Sequence, residues 1–193
     1  MEIVNAPHLS VREHWLELHH EKALMPELPI VDAHHHLWDR QSGVYLAPEF
    51  SRDIQLSGHR VLSSVYIQCR SMLRRNGPEA LRPVGEIEFA SGVAAMFDSG
   101  HYGQALGCEA IVGGASLLAG DDLLPVIELM MQRSGGRLRG MRNPLAWHDD
   151  PRVVSSPVTP PPVSLPVSHF DAVQLALPGR AFAGCMGLPH PTK

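Results

Sequence analysis

Apolar residues recur along this chain with two alternating periods, and that alternation outlines a fold. Ser10 and Glu13 stand at capping-box spacing, and Val11, Trp15 and Leu18 follow at helical intervals. This predicts a short N-terminal helix to about Ala23, ended by Pro26 and Pro29. Ile30, Val31, Asp32 and Ala33 then open a short apolar run suited to a buried strand. A stretch rich in Gly, Ser and charge reads as a loop as far as residues 61–68, the clearest strand signal in the chain. Pro83 marks the start of a helix whose apolar face continues through Ile87, Val93, Ala94 and Phe97. Residues 110–114 read as a third strand with a glycine-rich exit. Asp121 and Asp122 lead a further helix through Leu123, Leu124, Ile127, Leu129 and Met130, with acid at its dipole-positive end. Gly135 and Gly136 close it, and residues 138–142 supply a fourth strand. Strands alternating with helices predict βαβ units, hence an α/β fold with a parallel sheet.

The pattern stops near residue 151. The last 43 residues hold 9 of the 17 prolines and only four charged side chains, Arg152, Asp171, Arg180 and Lys193. Pro160, Pro161 and Pro162 block regular structure, and no helical or alternating period survives. The expected organisation is a helical extension over residues 1–28, a folded unit over 29–152 and an irregular proline-rich tail over 153–193.

With 193 residues, 44% of them hydrophobic, the chain suffices for one packed domain. It falls short of the roughly 250 residues of a complete (β/α)₈ barrel. Sixteen basic against 20 acidic residues, with no basic block, give no electrostatic case for nucleic acid. No apolar run approaches the ~20 residues of a membrane span, and no secretory signal opens the chain, so a cytoplasmic location is expected. Cys69, Cys108 and Cys185 are too scattered for a disulfide framework or zinc knuckle and read as small buried hydrophobes. The unusual count is 12 histidines, three of them consecutive.

Those three, His34, His35 and His36, leave the first apolar strand directly after Asp32 and Ala33. Alternate side chains on a strand share a face, so His34 and His36 point one way and His35 the other. Two imidazoles converging at the carboxyl end of a buried strand make half of a site for zinc, manganese or a similar divalent ion. Asp32 would serve as an orienter or a further ligand. Arg142 falls at the carboxyl end of the fourth strand, either to hold a substrate carboxylate by a bidentate pair or to make a salt bridge on the rim. Trp147, His148, Asp149 and Asp150 read as a solvated loop, Gly113, Gly114 and Gly120 are too loose for a phosphate loop, and Met130 and Met131 read as core.

The segment Pro29-Ile30-Val31-Asp32-Ala33-His34-His35-His36-Leu37-Trp38-Asp39 resembles the opening strand of the amidohydrolase-2 family, TIM-barrel metal-dependent hydrolases that include fuconolactonase-like enzymes. The resemblance runs on through residues 77–86 and 139–142 and covers about residues 28–152. It implies that His34 and His36 take the paired metal-ligand positions of strand one. It implies a partial (β/α) barrel of about four strands, because the family's later ligands and its late aspartate lie on strands beyond the fourth. Members often carry Val-Glu-Cys where this chain has Ile67, Gln68 and Cys69; an amide is no anionic ligand or base, so Gln68 is given no catalytic role. His169 and His190, in the tail, are not recruited.

Read one base later, codons allowed for residues 181–189 can encode Ser-Leu-Asp-Ala-Trp-Val-Tyr, which resembles the family's next barrel strand. A frameshift near residues 153–163 is the expectation. The function implied is a metal-dependent hydrolase acting on a lactone or other small carboxylic compound, truncated here. The alternative is a catalytically inactive half-barrel, a metal-binding or assembly module at most. Strands one and four would be open edges, so self-association is expected.

Overall fold

Parallel strands laid side by side in chain order form the frame of the molecule. A computed structural model describes residues 12–40, 43–144 and 181–185. Within them α1 (Glu13–Leu16) precedes β1 (Pro29–His35), a hairpin of β2 (Trp38–Arg40) and β3 (Gly43–Tyr45), and α2 (Ala47–Leu56). Then come β4 (Arg60–Ile67), α3 (Val84–Asp98), β5 (Leu106–Gly114), α4 (Leu123–Arg133), β6 (Leu138–Pro144) and β7 (Ala181–Cys185). The main sheet runs β1-β4-β5-β6-β7 with every neighbouring pair parallel. Its first four strands curl into a half-barrel, the partial α/β barrel expected.

The two faces of this sheet differ. On the helix-covered face Tyr66 of β4, Ile111 of β5 and Met141 of β6 are at most 2% exposed. They pack against Val84, Ile87, Ala90 and Phe97 of α3 and Ile127 and Met130 of α4. Each such side chain contributes about 1.5–3 kcal/mol by leaving water. Gly113 lets this layer close: a Cβ there would meet Ile87, Leu138 and Met141 at 3.0–3.3 Å. Residues on the other, inner face, among them Val61, Val65, Ala110 and Val112, are only half-buried.

Three expectations are corrected. The N-terminal helix spans four residues and stops well before Ala23. Trp15 is 58% and Leu18 77% exposed, so among the described residues neither finds a surface to bury against, and an isolated helix this short is marginal. The supposed loop before residue 60 contains the β2–β3 hairpin and α2. That helix starts at Ala47 with Pro48 in its first turn, and the Glu49 carboxylate accepts the Leu46 N–H at 2.9 Å. Its Ala47 and Phe50 are buried. Finally, the tail is not irregular throughout. Ala181–Cys185 pairs in parallel with residues 140–144, so β6 is not an edge there, and among the described residues β1 is the open edge on its side. Ladder pairing uses backbone groups and asks little of the sequence except freedom from proline, which this short stretch has.

Ser10, the loop 145–150, the remainder of the tail with His169 and His190, and the proposed frameshift point all lie outside the described residues. Among the described residues, no helix is long and apolar enough to cross a membrane.

Candidate functional site

The strand geometry of β1 parts its three histidines. His35 turns into the helical layer, where it is 7% exposed and stacked on Phe50 at 4.1 Å between ring centres. Tyr66 meets its edge, and its Nε2 lies 3.5 Å from Cys108 Sγ. Burial lowers the His35 pKa to about 4, against the pull of Asp32. This ring is a neutral core group.

His34 and His36 meet each other instead. Their Nε2 atoms lie 3.1 Å apart, with the rings edge-on at 4.8 Å between centres. His36 Nδ1 donates to the Ile67 carbonyl at 2.7 Å, because only a protonated nitrogen can satisfy a carbonyl acceptor. In the neutral ring that leaves the Nε2 lone pair free to face His34. Burial lowers the His36 pKa, and His34, Arg142 and Arg40 add to the effect. A tetrahedral ion with nitrogen ligands at about 2.0–2.1 Å sets two such atoms roughly 3.3 Å apart. The observed pair fits two positions of that set.

Asp32 takes a different part. Its Oδ1 accepts the backbone N–H of His34 at 3.1 Å, and its Oδ2 lies 4.0 Å from His35 Nδ1. The pairing of β1 with β4 shifts register between Asp32 and His35, which breaks the strict alternation that would put this carboxylate beside the imidazole pair. It orients the chain at His34 and touches neither ring of the pair. Among the described residues, no group of three or more His, Cys, Asp or Glu side chains gathers around a possible ion.

Arg142 does come into range. It sits on β6, with two strands between it and β1 in the sheet, yet its charge acts on His36, and its buried Nε has no hydrogen-bond partner among the described residues. Sequence reading missed Arg40, the second cation acting on His36, whose Nη2 donates to the Cys69 carbonyl at 3.1 Å. Gln68 is buried, with its side chain laid over Gly114, where a Cβ would lie 2.7 Å from Gln68 Cγ.

The residue least expected is Glu86, in the first turn of α3 and 2% exposed. Its Oε1 accepts the Tyr66 hydroxyl at 2.8 Å, the Cys69 N–H at 2.7 Å and the Ser71 N–H at 3.1 Å. Burial raises its pKa while these donors oppose the rise. The loop they hold bends through left-handed backbone at Arg70 (φ 63°) and Met72 (φ 52°), conformations that persist in non-glycine residues only where the surroundings fix them. An acid amid the apolar Val84, Ile87 and Phe89 was the available signal.

Fold and site together define a mixed α/β half-barrel carrying an imidazole pair at the carboxyl end of its edge strand. No protein-family model, no curated protein and no solved structure matches the chain.

Proposed function

We propose that the chain is a metal-dependent hydrolase of the amidohydrolase type, acting on a lactone or other small carboxylic compound. The observation that carries this reading is the 3.1 Å approach of the His34 and His36 Nε2 atoms, with His36 held through Nδ1 by the Ile67 carbonyl. Such a backbone acceptor behind a ligating imidazole is the usual arrangement that fixes tautomer and ring orientation. His34 and His36 would hold the ion, zinc or manganese. A divalent ion supplies Lewis acidity and activation of water near neutral pH. Arg142 would receive a substrate carboxylate from across the inner face, and its buried Nε, without a hydrogen-bond partner among the described residues, supports that role. The same reading takes a cytoplasmic chain that associates with a second copy through the open edge of β1.

A second reading is favoured by one observation. Among the described residues no third ligand joins the pair, whereas a catalytic zinc typically has three protein ligands. On that reading the half-barrel binds a metal, or serves in assembly, without turnover. Metal content by plasma emission, together with turnover of lactones and esters in zinc- or manganese-replete buffer, separates the two. Stoichiometric metal with hydrolysis supports the enzyme; stoichiometric metal without hydrolysis supports the inactive module. Absence of both removes the metal from either reading.

A further inference from the structure

We infer that Glu86 is a positioning residue for the imidazole pair, acting through the loop that follows β4. Two sets of contacts meet on that loop from opposite sides. From α3, one carboxylate oxygen takes the N–H groups of Cys69 and Ser71 and the Tyr66 hydroxyl, and the Arg70 N–H also bonds to the carboxylate. From the segment after β1, His36 Nδ1 donates to the Ile67 carbonyl, Arg40 donates to the Cys69 carbonyl, and the Cys69 thiol reaches the Leu37 carbonyl at 3.5 Å. The same few residues, 67–71, therefore carry the anchor on one side and the site on the other.

The chemistry of the anchor is specific. Three donors converging on one oxygen suit an acceptor-only carboxylate, since an anion takes several charge-assisted bonds at once. An amide there would accept more weakly through its oxygen and present two donors to a row of donors. With the loop released, the Ile67 carbonyl would no longer fix the proton on His36 Nδ1, and the His36 Nε2 would lose its standing lone pair. Backbone acceptors behind a ligand set its tautomer in this way.

The consequence for zinc rests on the metal reading above; the consequence for the tautomer does not. In the full 193-residue chain, labelled with nitrogen-15, long-range proton–nitrogen spectra report which His36 nitrogen carries the proton. The expected result is an Nδ1–H ring in the parent protein and a mixture of tautomers in Glu86→Gln. Zinc affinity, measured by competition with a chromophoric chelator, should weaken about 10- to 100-fold in that variant. Tyr66→Phe removes one donor but leaves the backbone clamp, so it should keep the parent tautomer. An equal shift in Tyr66→Phe would reduce Glu86 to general stability and overturn the inference. So would an Nε2–H ring in the parent, or an unchanged ring in Glu86→Gln. If Glu86→Gln does not fold, Glu86→Asp keeps the charge but draws it back by one methylene, and it must show part of the shift. A parent that binds no zinc yet gives the expected tautomer series would sink the metal reading and leave the positioning role standing.

Discussion

Replacing Gly85 by alanine gives a prediction whose sign goes against the usual rule. Glycine inside a helix is commonly worse than alanine by up to about 1 kcal/mol, so Gly→Ala there normally stabilises. Gly85 is the second residue of α3, where that gain is smaller. A Cβ at this position would stand 2.6 Å from the Arg74 backbone nitrogen and 2.6 Å from the Met72 carbonyl oxygen, whereas ordinary contact begins at 3.4 Å. Both obstacles are backbone, so no side-chain rotation relieves them. The helix must lift from the loop, and overpacking of this kind costs about 1–3 kcal/mol. The clash wins, and the net loss should be about 1–2 kcal/mol. At roughly 2–4 °C per kcal/mol for a chain of this size, the melting temperature should fall by about 2–8 °C. Gly92 of the same helix provides the control, because a Cβ there meets nothing within 4 Å. Gly92→Ala should therefore stabilise, by about 0.4–1 kcal/mol. Urea denaturation of both variants beside the parent measures the two signs at once. A Gly85→Ala protein as stable as Gly92→Ala would refute the close approach of α3 to the loop.

Other consequences can be checked separately. Tyr66→Phe removes a fully buried hydroxyl that donates to a carboxylate at 2.8 Å, and should cost about 1.5–3 kcal/mol in the same urea assay. Zinc at 100 times its dissociation constant should add about 2.7 kcal/mol to the unfolding free energy, and His36→Ala should abolish that increment; an equal increment in the variant would place the ion elsewhere. Burial pushes the Cys108 thiol up to about 12, so at pH 8 roughly one part in ten thousand is thiolate. Iodoacetamide should leave Cys108 unmodified until urea unfolds the chain, as peptide mass mapping will show. Sedimentation should find a dimer or larger species, since β1 is an open edge among the described residues with Val31 59% exposed, and a monodisperse monomer would contradict this.

Much of the frame is legible in the sequence because β4 is dominated by Val61, Leu62, Val65, Tyr66 and Ile67, β5 carries the apolar run 110–112 before its glycines, and α3 and α4 carry apolar faces bounded by glycine or proline. The opposed directions of His35 and its two neighbours also follow from strand alternation alone. What could not be read depends on partners distant in sequence. Val11, Trp15 and Leu18 have helical spacing, but spacing cannot say whether a surface waits to receive them. In α2, Ala47, Phe50 and Ile54 are diluted by Ser51, Arg52, Asp53 and Gln55, so the period is faint although Pro48 and Glu49 mark the start. Asp32 departs from the imidazole pair because of a register shift, which only the pairing of two strands creates. Arg142 acts on His36 only once the sheet has curled, and Arg40 does so from the β2–β3 hairpin, outside that sheet.

The Glu86 clamp also bears on how such a site can change through descent. Its partners in the loop are backbone N–H groups, which every residue but proline supplies. Positions 69–71 can therefore exchange side chains while the grip on the loop persists, within the limit that position 70 must tolerate left-handed backbone, whereas position 86 has no such latitude. Variation is channelled: the loop can be remodelled one residue at a time, with the carboxylate as the fixed point.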